Sequence, residues 1–209
     1  MNIANTKHIV NSALIGMILA DGTVLKNKYL ILRHGGKQLE YVNEKVQYLS
    51  KYCNNSKIKT SLDKAGYTYR YTYIKYKTIP YLSSKIYING KKSISKIINR
   101  ITDVSLAFMY MDDGCLSLRK SKTGDCYSSR EIHLNVQSFT FNEVKLLQEY
   151  ILKKWDVDFH ITIDKGKPRL WCNTKNTIKF LRIVYPIVKN FKTMHYKLDL
   201  KYKNKIISL

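Results

Sequence analysis

The sequence has few of the features that mark several common protein classes. Its four cysteines show no Cys-x-x-Cys pair and no zinc-type spacing to histidine, which argues against a zinc finger and a disulfide scaffold. We expect Cys53, Cys115, Cys126 and Cys172 to be reduced thiols. No run approaches the roughly 18 apolar residues of a membrane-spanning helix, so no membrane partner is expected. The first ten residues show neither a signal-peptide core nor an Arg-rich transit helix.

Acidic residues are also scarce. Only 15 Asp and Glu stand against 37 Lys and Arg, which gives a net charge of +22 in a chain of 209 residues. Residues 1–100 carry 18 basic and 4 acidic side chains, and residues 101–209 carry 19 and 11. Such an excess repels itself in a compact state unless a polyanion neutralises it. DNA or RNA fits this role better than anionic lipid, because the charge is spread along the whole chain.

The chain contains two short apolar runs that end in the same way. Leu14–Gly22 reads LIGMILADG, and Leu106–Gly114 reads LAFMYMDDG. Each has the length of a buried helix that stops at an Asp-Gly pair, with glycine expected in the left-handed conformation at the helix end. The aspartates Asp21 and Asp113 lie 92 positions apart (113 − 21), close to half of the chain. This spacing predicts an internal repeat.

Both runs are followed by the same order of elements. In the first half we predict strands and helices over Thr23–Lys26, Tyr29–Arg33, Gln38–Cys53, Lys57–Leu62, Tyr67–Lys77 and Ile79–Tyr87. In the second half they lie over Leu116–Lys120, Glu131–Gln137, Phe141–Trp155, Asp158–Asp164, Pro168–Cys172 and Thr174–Val188. Thr140 and Glu143 are expected to cap the helix that starts at Phe141. The predicted fold is α+β, with two αββαββα halves at 1–100 and 101–209 joined by a linker at about Asn89–Thr102.

The strands alternate between apolar and polar residues, which places one face of each sheet on a core and leaves the other open. An open sheet face of a basic protein is suited to DNA, because a two-stranded ribbon fits the major groove. In the first half the candidate DNA-contacting residues are Lys57, Lys59 and Arg70. In the second half they are Arg119, His133, Asn135, Gln137 and Arg169, with Glu131 on the same face.

The two runs resemble the LAGLIDADG motif of homing endonucleases. The first copy keeps positions one, three, five, seven, eight and nine of the motif, and the second keeps the opening Leu-Ala and the closing Asp-Gly. The resemblance covers essentially the whole chain and is nearest to the single-chain, intron-encoded branch. It implies saddle-shaped antiparallel sheets joined through two central motif helices. Small residues permit close helix approach in the family; Gly16 and Ala20 supply them here. Phe108 and Asp112 take these places in the second copy, where we expect Ala107 to provide the close contact.

The resemblance also implies the active site. Asp21 and Asp113 would bind Mg²⁺, with two or three divalent ions in all and Mn²⁺ as a substitute. Lys92 and Lys197, the latter within Tyr196-Lys197-Leu198, would be the catalytic basic residues. Asp112 would supply a carbonyl or an outer carboxylate and not a principal ligand. The five histidines form no catalytic cluster by spacing, and we expect surface or DNA-face positions for His8, His34, His133, His160 and His195.

The function implied is a metal-dependent double-strand break in a long asymmetric DNA site, made by a monomer, which promotes mobility of a host element. Two alternatives stay open. One is an intron RNA maturase, because basic charge and tyrosines such as Tyr67, Tyr69, Tyr71 and Tyr73 suit RNA as well as DNA. The other is a catalytically silent DNA-binding protein of the same fold. Both would tolerate loss of the motif aspartates, which this chain keeps. The sequence leaves the compartment open among mitochondrion, phage-infected cell and bacterial cytoplasm.

Overall fold

The computed structural model describes residues 3–50, 52–55, 57–120 and 127–198. The first half contains α1 (Ile3–Leu19), β1 (Thr23–Leu25), β2 (Tyr29–Gly35), α2 (Leu39–Leu49), β3 (Asn54–Asn55), β4 (Lys59–Leu62), β5 (Thr68–Lys75) and α3 (Ile79–Ile86). A small hairpin of β6 (Tyr87–Ile88) and β7 (Lys91–Lys92) follows. The second half contains α4 (Asp103–Asp113), β8 (Gly114–Lys120), β9 (Tyr127–Leu134), α5 (Phe141–Trp155), β10 (His160–Asp164), β11 (Lys167–Cys172) and α6 (Thr174–Val188).

The two halves repeat one topology. The strands of the first sheet run in the order β4-β5-β2-β1, with the two-residue β3 also paired to β5. The strands of the second sheet run in the order β10-β11-β9-β8. Every pairing is antiparallel. The predicted α+β class and the αββαββα order are confirmed, with β3 as an addition. The division at residue 100 and the saddle shape of the sheets stay predictions.

Helices α1 and α4 pack directly against each other between the halves. A Cβ atom at Gly16 would lie only 2.9 Å from the Cα of Ser105 and 2.9 Å from the Cβ of Phe108. The Ser105 hydroxyl donates a hydrogen bond of 2.8 Å to the backbone carbonyl of Ser12 across the same contact. The close approach expected at Gly16 is therefore present. Its partner on α4 is Ser105, whereas a similar role for Ala107 stays a prediction.

The conformation expected at the Asp-Gly pairs is wrong. Gly114 is extended, with φ −84° and ψ 154°, and Gly22 is not among the residues with positive φ. Glycine is required at these positions for space instead. A Cβ atom at Gly22 or Gly114 would lie 2.5 Å from the carbonyl oxygen of Met17 or Tyr110, respectively. After each helix the backbone turns back so close to the last helical turn that there is no room for a side chain at the glycine.

The bounds of several strands differ from the predicted ones, and β9 begins earlier, at Tyr127 instead of Glu131. Strand β9 ends at Leu134 instead of Gln137, because the N–H of Asn135 donates to the carbonyl of Asp113 and Val136 turns into the core. Asn135 and Gln137 therefore lie in the turn beyond the strand and not on its open face. Strand β4 begins at Lys59, which leaves Lys57 in the preceding loop. Strand β10 begins at His160, after the fully buried Phe159.

Helix α2 ends at Leu49 instead of the predicted Cys53, whereas several other local predictions hold. Thr140 and Glu143 form the expected capping box at the start of α5. The linker between the halves is anchored in the core through Ile94, Ile97 and Ile101. Cys53, Cys115 and Cys172 are free thiols, and Cys126 lies outside the described residues. None of the described helices is both long enough and apolar enough to cross a lipid bilayer.

Candidate active site and nucleic-acid interface

Asp21 and Asp113 lie at the matching ends of the two central helices. Asp21 is in the turn after α1, and Asp113 is the last residue of α4. Burial, together with the negative charges of Asp21 and Asp112, raises the pKa of the Asp113 carboxyl to about 7. Burial and the charge of Asp112 likewise raise the pKa of Asp21. A shift of this direction means that the ionised carboxylates lack sufficient positive charge around them.

Each of the predicted lysines caps one of these helix ends. Lys92, placed by the β6–β7 hairpin, donates from its ammonium to the carbonyl of Ala20 at the end of α1. Lys197 donates to the carbonyls of Tyr110, Met111 and Gly114 at the end of α4, at 3.2, 2.5 and 2.9 Å. A cation at a helix C-terminus is favourable because it meets the negative end of the helix dipole and the last free carbonyls.

Both lysines are poorly hydrated, and burial lowers the pKa of each of them. The carboxylates of Asp21, Asp112 and Asp113 act in the opposite direction and raise the pKa of both ammonium groups. The two lysines and the three aspartates therefore form one electrostatic cluster. Lys197 is almost fully enclosed, with 4% of its surface exposed, whereas Lys92 is half-buried.

The carboxylate of Asp112 forms an ion pair with a lysine of the first half. The ammonium of Lys45 on α2 lies 2.7 and 2.9 Å from the two carboxylate oxygens of Asp112, and neither side chain has any exposed surface. The same ammonium lies 4.3 Å from the centre of the Tyr41 ring. Lys45 was not predicted as a site residue. Its position on the apolar face of α2, between Val42 and Leu49 at helical spacing, is the signal in the sequence.

His34 joins this pair to Asp21. Its Nε2 lies 2.9 Å from the Lys45 ammonium, and its Nδ1 lies 3.9 Å from a carboxylate oxygen of Asp21. The prediction of a surface or DNA-face position for His34 is wrong, since only 5% of the residue is exposed. It follows Leu30 and Leu32 on the inward face of β2, which the alternation already indicated. Burial and the charge of Lys45 lower the pKa of His34 to about 4, so the ring is neutral at neutral pH.

Asp21 and Asp113 supply the oxygen donors that a hard divalent cation prefers. One ligand atom each from Asp21, His34 and Asp112 lies within 4.8 Å of the others. Both oxygens of Asp112 are already occupied by Lys45, so Asp112 is a poor direct ligand. The raised pKa values of Asp21 and Asp113 mark these two carboxylates as the oxygens that a cation would stabilise most. Oxygen donors of this kind suit Mg²⁺.

The open face of the first sheet differs from the predicted one. The register pairs Lys59 with Tyr71 and His34 with Arg70, so Lys59 is on the open face while Arg70 shares the helix-covered face with the buried His34. Arg70 there forms an ion pair with Glu40 of α2. The open-face placement of Arg70 is therefore a correction, and its contact with DNA stays a prediction.

Tyrosines line the open face of the first sheet. The rings of Tyr69 and Tyr71 lie 5.7 Å apart, those of Tyr71 and Tyr73 5.9 Å apart, and those of Tyr73 and Tyr29 6.4 Å apart. The guanidinium of Arg33 lies 3.7 Å from the centre of the Tyr69 ring. These residues form a continuous aromatic row with a cation at one end. We call this row the tyrosine row. Tyr67, by contrast, precedes β5 and is largely exposed.

The open face of the second sheet carries Arg119, His133 and Arg169, as predicted from alternation. Acids lie among them: Arg169 is 3.3 Å from Asp164, and Glu131 lies 3.8 Å from both Arg119 and His133. Buried Nδ1 of His133 and Nε of Arg169 have no hydrogen-bond partner within the described parts of the chain. Gln137, in the turn beyond β9, lies 3.5 Å from Asp164. The two sheets therefore present different chemical surfaces.

Comparison with known proteins agrees with this architecture. The sequence profile of the LAGLIDADG DNA endonuclease family matches residues 11–180. The chain belongs to this family. A probable intron-encoded endonuclease 1 of Wickerhamomyces canadensis is 28% identical over 199 residues, which cover 91% of this chain and 84% of that protein.

Solved structures show the same likeness. The homing endonuclease I-WcaI bound to its DNA recognition sequence superimposes with a TM-score of 0.72 at 26% identity, covering 91% of this chain and 86% of that one. A variant of I-DmoI, solved with its target DNA in the presence of magnesium, has a TM-score of 0.50 at 13% identity and covers 87% and 98% of the two chains. The second comparison concerns the fold alone.

Proposed function

We propose that the protein is a site-specific DNA endonuclease that uses Asp21 and Asp113, with divalent metal, to cut both strands of one long DNA site. The observation that carries this proposal is the pair of carboxylates at the ends of the packed helices α1 and α4, both with raised pKa values. Two neighbouring acids that repel each other are costly to hold together, even though Asp21 is partly open to solvent. Their proximity is explained if a cation and a DNA phosphate complete the site.

Mg²⁺ is the cation that the oxygen donors favour, with two or three ions in all and Mn²⁺ as a substitute. Asp21 and Asp113 would hold it. When bound, such a metal supplies Lewis acidity that activates a water molecule and stabilises the leaving oxygen of a scissile phosphate.

The lysines supply fixed positive charge to the same region. Lys92 and Lys197 are oriented by their bonds to the helix-end carbonyls, so their ammonium groups need little reorganisation during the reaction. Preorganised charge of this kind offsets the negative charge that develops on a phosphate under attack. We infer that Lys92, which is the less enclosed of the two, is the one that approaches the DNA or its attacking water.

DNA recognition is assigned to the open faces of the two sheets. The first offers Lys59, Arg33 and the tyrosine row, and the second offers Arg119, His133 and Arg169. Lys57, Asn135 and Gln137 flank these faces in adjoining loops and turns. Because different side chains read different bases, the two half-sites should differ. Both halves lie in one chain, so one monomer should occupy one asymmetric duplex, and a break there would promote mobility of the host intron or similar element.

A second candidate function is binding of intron RNA. The tyrosine row favours it, because half-buried rings on an open sheet face, beside a guanidinium, are suited to stacking with unpaired bases. Duplex DNA keeps its bases stacked, so the same rings would contact its sugars and methyl groups instead. Intron RNA that protects Tyr69, Tyr71 and Tyr73 from chemical modification, in competition with duplex DNA, would favour this function.

The experiment is cleavage of DNA that spans the uninterrupted insertion site of the host gene. We expect linear product with Mg²⁺ or Mn²⁺ and none with a chelator. Asp21→Asn and Asp113→Asn should each abolish double-strand cutting while DNA binding stays nearly intact. Asp103→Asn is a matched control, because Asp103 is an exposed acid at the opposite end of α4. Full metal-dependent cutting by either motif variant would contradict the proposal, and binding without any cutting would favour a silent DNA-binding protein.

A further inference from the structure

The two halves can be aligned residue by residue around the active site. In the second sheet Gly114 lies opposite Leu134. In the first sheet Thr23 lies opposite Ile31, so the register puts Gly22 opposite Leu32. Leu32 and Leu134 therefore correspond, and His34 corresponds to Val136, two residues further along.

The helices that cover the sheets align in the same way. The buried positions on α2 are Tyr41, Val42, Lys45 and Leu49, and on α5 they are Val144, Leu147 and Ile151. The spacing of Val42, Lys45 and Leu49 is the same as that of Val144, Leu147 and Ile151. Lys45 therefore corresponds to Leu147. In the motif helices the residue before the aspartate is Ala20 in the first copy and Asp112 in the second.

Three positions thus differ in kind between the two active sites. The positions around Asp21 hold the buried polar residues His34, Lys45 and Asp112. The corresponding positions around Asp113 hold the apolar residues Val136, Leu147 and Ala20, in the same order. We call the polar set the polar triad. Asp112 enters it from the other half, because α4 crosses against α1 and presents this side chain towards α2.

A contribution to the stability of the fold does not explain why the polar triad is present. A buried ion pair loses hydration on both sides, and apolar residues of similar volume are often as stabilising or more so. The second half shows that the same positions can be filled by apolar side chains in this fold. A role in the reaction is the better explanation for the retention of three polar groups.

The hydrogen-bond pattern points at Asp21. The Lys45 ammonium has no acceptor capacity, so the Nε2 of His34 must accept from it at 2.9 Å. The ring proton of the neutral imidazole is then on Nδ1, which faces the Asp21 carboxylate at 3.9 Å. The carboxylate of Asp112 is within 4.8 Å of the same atoms. Asp21 therefore has hydrogen-bonded polar side chains next to it, whereas Asp113 has apolar side chains at the corresponding positions.

We propose that His34, Lys45 and Asp112 are positioning residues that hold the Asp21 carboxylate in its working orientation, so that the two cleavage centres are chemically unequal. The inference rests on the proposed endonuclease function. Losing the polar triad should slow the strand cut at the Asp21 centre more than the strand cut at the Asp113 centre, which loses the nearby charge of Asp112 but no polar side chain at the matching positions. A small misplacement of a reacting group is enough to slow a reaction severalfold to a hundredfold.

The test replaces the polar triad by the residues of the other half in one variant, His34→Val/Lys45→Leu/Asp112→Ala. This change removes both charges together, so no buried ion is left unpaired, and thermal unfolding should stay near that of the wild type. Each DNA strand is labelled at one end, and single-turnover rates are measured for both strands in saturating Mg²⁺. We expect the ratio of the two strand rates to change by about tenfold or more, because the strand cut at the Asp21 centre slows more than the other.

Glu44→Gln is the matched control. Glu44 is also on α2 and also contacts the other half, through the backbone N–H of Thr193 at 3.3 Å, but it is not part of the polar triad. This variant should leave the ratio of the two strand rates unchanged. Equal slowing of both strands by the triple variant, or an unchanged strand ratio, overturns the inference. If the wild-type protein cuts neither strand, the proposed function fails and the inference fails with it.

Two single variants keep the question answerable if the triple variant does not fold. In His34→Asn the amide nitrogen takes the place of Nδ1 and can still face Asp21. In His34→Gln the amide lies near the place of Nε2, so the contact with Lys45 is kept and the group facing Asp21 is lost. The quantity compared is the rate at the Asp21 centre divided by the rate at the Asp113 centre. A lower value for the glutamine variant than for the asparagine variant supports the positioning role, and equal values overturn it.

Discussion

Replacing Lys197 by methionine tests whether this lysine acts mainly on the helix end or on the DNA. Methionine fills a similar volume without a donor, so the carbonyls of Tyr110, Met111 and Gly114 would lose the lysine donor, although the Tyr110 carbonyl still accepts from the N–H of Gly114. A buried acceptor left without a hydrogen bond costs about 1–3 kcal/mol, which gives roughly 2–6 kcal/mol for the carbonyls of Met111 and Gly114. Removing a buried ammonium recovers part of this cost, because burial already lowers the pKa of Lys197. We expect a net loss of about 3 kcal/mol in the free energy of unfolding.

Lys92→Met is the comparison. Lys92 is half-buried and donates to one carbonyl, that of Ala20, so the loss should be about 1 kcal/mol. Urea unfolding measures both values, and single-turnover cleavage below either unfolding transition measures catalysis on folded protein. A fall of about a hundredfold in cleavage by Lys92→Met would agree with electrostatic stabilisation of the phosphate. If Lys197→Met is as stable as Lys92→Met, the three carbonyl contacts do not hold the end of α4 as argued.

Four shorter predictions follow from the charge and the packing. DNA binding should weaken with a log–log salt slope of roughly −0.9 per neutralised phosphate, and a flat response would contradict a phosphate-contacting surface. Gly16→Ala should lower the free energy of unfolding by roughly 2 kcal/mol, because its Cβ would collide with Ser105 and Phe108; an unchanged urea midpoint would refute the close contact. Asp113→Asn should raise the melting temperature of the metal-free protein more at pH 8 than at pH 5. The pKa of about 7 in the folded protein means that stability falls as pH rises from about 4 to about 7, and a gain independent of pH would contradict it. Sedimentation should show one chain per duplex, and two chains would defeat the single-chain reading.

Local signals account for the parts of the fold that the sequence predicts well. The capping box of Thr140 and Glu143 fixes the start of α5, and the predicted bounds of α5 and α6 agree with the structure. Capping and periodicity depend on neighbours within a few positions, so they can be recognised in one segment alone. The two Asp-Gly pairs located the ends of the central helices for the same reason, although space and not backbone conformation requires their glycines.

Distant partners decide the features that were predicted wrongly. Alternation placed Asn135 in a strand, but its N–H bonds to Asp113, 22 positions away (135 − 113), and the strand ends. In β5 both faces carry polar or aromatic residues, so alternation could not show which face α2 covers. Only the register with β2 places Arg70 beside His34 on the inward face. Such choices follow from the whole sheet and not from the strand itself.

Lys45 and Asp112 are each unexpected at a buried position, and each is accounted for by its contact with the other. A lysine at a buried helical position of α2 and an aspartate inside the apolar run of α4 are each unfavourable alone, because a buried charge must be paired. They lie 67 positions apart and in different halves, so no local pattern connects them. In a chain with an internal repeat, however, the corresponding positions are Leu147 and Ala20, and both departures from the repeat are polar and opposite in charge. Charges that break a repeat at buried positions in opposite halves therefore predict a contact across the junction, and here that contact lies beside Asp21.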